Sequence, residues 1–123
     1  MTIGNSLVQS VSWETYNHYT LDITQQDITN ADFYLEIEFI LQVDFVDLLV
    51  FWNRDNLAGT EKDCFDYLDW CKTSNIDDHC VFTFYPCDLE SGTLYFSVHY
   101  PAQERINPGF EVPYAVNIRR IGN

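Results

Sequence analysis

Positive charge is scarce in this chain. Against 19 acidic residues, its 123 residues carry only 6 lysines and arginines, for a formal net charge of −13. Nucleic acids and anionic membrane surfaces are bound through basic patches that displace counterions or meet headgroups, so both partner classes are excluded. No apolar run reaches the ~18 residues of a membrane span, and no membrane insertion is expected. The opening MTIGNSLVQSVSWE lacks the positive region and continuous apolar core of a signal peptide. A standard N-x-S/T acceptor for N-linked sugar is missing. Internal repeats, low-complexity segments and helical periodicity are missing too.

What is present is apolar and aromatic. Hydrophobic residues make up 46% of the chain and aromatic residues 16%, far more than a disordered chain carries, so a packed globule follows. The length suits one domain, with residues 1–12 as an N-terminal arm or first strand and residues 13–123 as the domain proper.

The dominant period is two, the mark of strands with one buried face. FYLEIEFIL places Phe33, Leu35, Ile37, Phe39 and Leu41 on one side, with Glu36 and Glu38 on a wet side. VDLLVFW sets Val46, Leu48, Val50 and Trp52 opposite Asp47, Leu49 and Phe51, so its second face is also apolar. GTLYFSVHY turns Leu94, Phe96, Val98 and Tyr100 inward, and VPYAVNIRRI does so with Val112, Tyr114, Val116 and Ile118. TYNHYTLDI, SLVQSVSW and CVFTFYPC supply further strands. The breaks NRDNLAGT, CDLESG and PAQERINPG are rich in turn residues. CFDYLDWCKTSNIDDHC reads as an irregular loop or a short helical turn. The expected fold is an all-β antiparallel sandwich of about seven to eight strands, jelly-roll-like or Ig-like.

Four cysteines, Cys64, Cys71, Cys80 and Cys87, are spaced too widely for a C-x₂₋₄-C zinc site or a C-x-x-C redox motif. They read as disulfide staples, which implies an oxidising, extracellular compartment. Cys80 and Cys87 end one extended stretch and lie about 23 Å apart, beyond the ~7 Å between Cα atoms that a disulfide tolerates. Two full pairings remain: Cys64 with Cys80 and Cys71 with Cys87, or the nested set of Cys64 with Cys87 and Cys71 with Cys80. The nested set is preferred, because one antiparallel ladder would place both pairs opposite each other.

The succession FYLEIEFILQVDFVDLLVFWN, CDLESGTLYFSVHYP and VPYAVNIRRI resembles the bacterial pre-peptidase C-terminal domain and its eukaryotic extracellular relatives. The matching positions are Asp47 to Val50, Gly92 to Val98, and Tyr114 to Ile118, within a likeness spanning residues 13 to 121. The resemblance implies a secreted, non-catalytic β-sandwich appended to another protein, binding polysaccharide or protein or acting as a spacer.

Catalytic chemistry has little to stand on. His18, His79 and His99 lie on separate segments without a G-x-S-x-G or H-E-x-x-H context, and no catalytic residue is assigned. The acidic stretch around Asp63, Asp66, Asp77 and Asp78 could hold calcium in a composite loop site; no other cofactor is expected. Trp52, Tyr67, Trp70, Tyr85 and Tyr95 form a surplus of aromatics on wet faces or loops. Two functions compete. One is a structural module that self-associates or packs on neighbouring domains, building a filament or matrix through its N-terminal arm. The other is a carbohydrate- or matrix-binding module centred on Tyr67 and Trp70, calcium-assisted in one version.

Overall fold

Leu35, Ile37, Phe39 and Leu41 alternate along one strand, and all four are fully buried. Successive side chains of an extended chain point to opposite sides, so such a pattern drives one face of the strand onto a core. A computed structural model describes residues 1, 4–12, 15–25, 33–43, 46–54, 69–85, 90–101 and 111–122. It contains eight strands: β1 (Ser6–Ser12), β2 (Tyr16–Ile23), β3 (Phe33–Leu41), β4 (Leu48–Arg54), β5 (Asp69–Thr73), β6 (Cys80–Phe84), β7 (Gly92–His99) and β8 (Glu111–Gly122).

They form two four-stranded sheets, β1-β8-β3-β6 and β2-β7-β4-β5, with every neighbouring pair antiparallel. This is the expected all-β sandwich. The inner faces interdigitate as the alternation requires: Val46, Leu48 and Val50, then Leu94, Phe96, Val98 and Tyr100, then Val112, Tyr114, Val116 and Ile118 are all buried. The side chain of Phe33 lies outside the described residues. Phe39 of one sheet packs against Phe96 of the other at 5.9 Å between ring centroids and edge-on against Phe82 at 6.2 Å. Each such fully buried side chain stabilises the fold by about 1.5–3 kcal/mol before entropy is counted.

Four sequence expectations are narrowed or changed. Of the two forms expected at the N-terminus, arm or first strand, residues 6–12 take the strand: they pair with β8 from Ser6 opposite Asn117 to Ser12 opposite Glu111. Val11, 1% exposed, anchors the strand to the core, and Leu7 packs on it from the edge. That is the apolar reason to fold back. The segment read as a loop or helical turn contains β5, a strand because β4 offers it a ladder from Leu48 opposite Thr73 to Trp52 opposite Asp69.

Glu38, read as wet, is buried, because the strands beside it deliver partners. Its carboxylate accepts from Arg119 Nη2 at 2.6 Å and Asn117 Nδ2 at 3.2 Å, and lies 2.7 Å from His79 Nδ1.

The fourth change concerns the cysteines. Cys71 and Cys80 are bonded, with their Cα atoms 5.8 Å apart, as the nested pairing has it. They do not face each other across one ladder. Cys71 is on β5, paired with β4, whereas Cys80 is on β6, paired with β3 in the opposite sheet. The bond therefore joins the two sheets along one margin. The intervening turn is held locally: Asp78 N donates to Asn75 O at 3.3 Å, and Thr73 Oγ1 donates to the carbonyls of Asp78 and Asn75. Cys64 and Cys87 lie outside the described residues.

Candidate functional site

The outward residues of β2-β7-β4-β5 gather rings from strands far apart in the chain. Alternation puts Tyr16 and His18 of β2 on the face away from the core, and antiparallel register does the rest. One row across the sheet reads Tyr16, His99, Leu49, Lys72; the next reads His18, Ser97, Phe51, Trp70; a third reads Thr20, Tyr95, Asn53.

Tyr16 stacks on His99 at 4.1 Å between centroids and on His18 at 5.9 Å, with the rings nearly parallel in both pairs. His99 Nδ1 lies 2.8 Å from the Thr15 carbonyl, which can only accept, so that nitrogen carries the proton. At the other end of the face Phe51 and Trp70 stack at 6.4 Å. Phe51 is only 6% exposed, although it points away from the sandwich interior, whereas Trp70 is 49% exposed. A half-wet indole thus rests on a buried phenyl ring.

His18 Nδ1 lies 2.8 Å from Ser97 Oγ, the contact a nucleophile and its base would make. Ser97 is fully buried in the sheet, so this hydroxyl has no path to a substrate and the contact serves to orient the ring.

The sequence candidates scatter. Trp70 lies on this face; Tyr95 is half-buried in its third row. Trp52 points inward instead, against the core and edge-on to Phe84 at 4.9 Å, with the Arg54 guanidinium 5.7 Å from its ring. Tyr85, 55% exposed, lies beyond β6 in the other sheet, 5.7 Å from Tyr34. Asp77 and Asp78 are exposed in the turn between the bonded cysteines, where Asp77 N donates to Asn75 Oδ1 at 3.1 Å. Among the described residues no three histidine, cysteine, aspartate or glutamate side chains are grouped to hold a metal ion. Tyr67, Asp63 and Asp66 lie outside the described residues.

Sequence reasoning misses Tyr16, His18, His99 and Phe51 as a group. Their alternation is visible, but the pairing of β2 with β7 that brings them together has no local signal.

No family model matches the chain, and no curated protein matches it. Among solved structures it is similar to the pre-peptidase C-terminal domain of collagenase from Bacillus anthracis, with a TM-score of 0.57 and 11% identity over 96% of this chain and 90% of that one. At that identity the likeness is one of fold, and the fold is that of a pre-peptidase C-terminal-like β-sandwich.

Proposed function

We propose that the chain is a non-catalytic extracellular module with a structural role, which associates with copies of itself or packs on a neighbouring domain. The observation that carries this reading is Trp70. Its indole is held half in water, stacked on Phe51, on a sheet whose other side already forms the core. Interfaces favour tryptophan and tyrosine at such positions, where a partner completes the burial of the ring. The Cys71–Cys80 bond supports an oxidising compartment, and the solved structure of similar fold is a domain of a collagenase, a module attached to other parts of its protein. The test is the absolute mass of the native particle by light scattering without reductant. Particles of several times 14.4 kDa are expected; a single chain at every concentration overturns the assembly reading.

One observation favours a second reading, a carbohydrate- or matrix-binding module. Trp70 offers a half-exposed indole with polar Lys72 two residues along the same strand, the combination on which a sugar stacks and hydrogen-bonds. Tyr67 would join Trp70, and Asp63, Asp66, Asp77 and Asp78 would supply calcium ligands in its metal-assisted version. A glycan array with wild type and Trp70→Ala, each with and without chelator, tests it. Binding that is absent, or indifferent to both changes, rules it out.

A further inference from the structure

The two edges of the β1-β8-β3-β6 sheet are unlike the rest of this chain. On a protein of net charge −13, β1 reads SLVQSVS and β6 reads CVFTF, without one charged residue or proline. The edges of the other sheet carry the usual safeguards against pairing: Asp22 on β2, Asp69 and Lys72 on β5. Of the five exposed large hydrophobic residues among those described, three stand on or beside the uncharged edges: Val8 at 73%, Val81 at 44% and Tyr85 at 55%.

At both edges alternate main-chain groups turn outward. Opposite Ser10 stands Pro113, which has no N–H, and the Ser10 carbonyl turns away from β8 to accept from Asn17 Nδ2 at 2.8 Å. Ser10 thus occupies a non-hydrogen-bonded site of its ladder, and by alternation so do Ser6 and Val8, whose N–H and C=O groups face outward. On the far side, Gln42 N donates to Pro113 O at 3.0 Å, which marks the even-numbered residues of β3 as bonded to β8. The odd-numbered ones then bond Cys80, Phe82 and Phe84 of β6, leaving the main chain of Val81 and Thr83 turned outward. Among the described residues no hydrogen bond reaches the outward main-chain groups of Ser6, Val8, Val81 or Thr83.

Strand polarity makes the two edges complementary. From β1 through β8 and β3 to β6 the direction reverses three times, so β1 and β6 run antiparallel to each other. A copy set beside the first in the same orientation therefore presents its β6 antiparallel to the first copy's β1. The outward-bonding residues of both strands carry their side chains on the outer face, so inner and outer faces continue across the junction. We propose that β1 of one copy pairs with β6 of the next, extending this sheet through successive copies in an open, head-to-tail assembly. This deepens the assembly reading and rests on it; the partner is a second copy of the chain.

The experiment uses Val8→Glu and Val81→Glu, which place a carboxylate at one edge each of an already acidic chain, with Trp70→Ala as the contrast. Light scattering is expected to show large particles for wild type and a single chain for each edge variant. An equimolar mixture of the two edge variants is expected to double the mass of either alone and stop there, because each supplies the edge the other lacks. Val8→Pro and Val81→Pro repeat the test by removing N–H groups that point outward and serve no internal ladder bond, and circular dichroism confirms that all variants fold. If wild type is large, the edge variants keep its mass and Trp70→Ala disperses it, edge pairing is overturned while the assembly reading stands. If folded edge variants disperse but their mixture stays at one chain, the head-to-tail pairing is overturned. A wild type that remains a single chain overturns both.

Discussion

The hydroxyl of Tyr114, on β8, is hydrogen-bonded to that of Tyr19, on β2, across the interior between the two sheets. Asn17 Nδ2 donates to the same Tyr114 oxygen at 2.9 Å. Tyr100 is buried as completely, yet its hydroxyl has no partner among the described residues. Burial pushes the Tyr114 hydroxyl far above the ordinary tyrosine range and raises those of Tyr19 and Tyr100 as well, so all three stay neutral at physiological pH.

The two fully buried tyrosines should therefore respond oppositely to loss of the hydroxyl. A buried polar group without a partner costs about 1–3 kcal/mol, whereas a satisfied hydrogen bond stabilises by about 0.5–1.5 kcal/mol. Tyr100→Phe is expected to leave stability unchanged or raise it by about 1 kcal/mol, and Tyr114→Phe to lower it by about 1–2 kcal/mol. Urea unfolding of the two variants beside wild type decides the matter. Equal losses would contradict the difference in bonding.

The disulfide closes a short loop, its cysteines nine residues apart in sequence. Restricting the unfolded chain over such a loop stabilises by about 2–3 kcal/mol. Cys71→Ala with Cys80→Ala should lower the unfolding free energy by that amount and the urea midpoint with it, and because the bond joins the sheets at the β5–β6 margin, β5 should become the first strand open to proteolysis. A midpoint equal to that of wild type would show that core packing alone holds the margin.

Glu38 gives a signed pH dependence. Burial alone would raise its pKa, but hydrogen bonds from His79 and Asn117 and the charge of Arg119 outweigh it and hold the carboxyl below its ordinary 4.5. A carboxylate more acidic in the folded state contributes stability that is fully present above the unfolded value and is lost as pH falls through the folded one. Acidification also relieves the repulsion of a chain at −13, so the informative quantity is the difference between wild type and Glu38→Gln. The variant is expected to be about 1–2 kcal/mol less stable at neutral pH, and the gap to close as pH falls from the ordinary carboxyl value through the lower folded one. A gap that persists there would assign it to packing rather than to charge.

The inward faces are legible because alternation is a property of the strand alone. Leu94, Phe96, Val98 and Tyr100 announce a buried side whatever lies next to them. What a neighbouring strand contributes is not local. Glu38 looks wet until Arg119, 81 residues further on, is brought over it. DWCKT is a strand because β4 accepts it, although Asp69 and Lys72 disfavour one. Spacing and elimination leave Cys71 two candidate partners, Cys80 and Cys87; the preferred one is bonded, but the ladder offered as its reason fails, since no periodicity reveals that the chain changes sheet between them. Trp70 stands out as a surplus aromatic; its setting beside Phe51, in the face shared with Tyr16, His18 and His99, depends on the order and register of four strands.

Charge makes a last prediction about assembly. Two copies at −13 repel, and the uncharged edges of β1 and β6 offer no local attraction between opposite charges to offset this. Screening shortens that repulsion, from a Debye length of about 30 Å at 0.01 M salt to about 8 Å at 0.15 M. Particle mass should therefore rise with sodium chloride, and calcium chloride at equal ionic strength should add nothing further. Light scattering across a salt series, with and without chelator, reads both effects. If millimolar calcium drives assembly where sodium chloride does not, the carboxylates bind the ion specifically and the acidic residues around Asp77 and Asp78, rather than bare edge pairing, control the association.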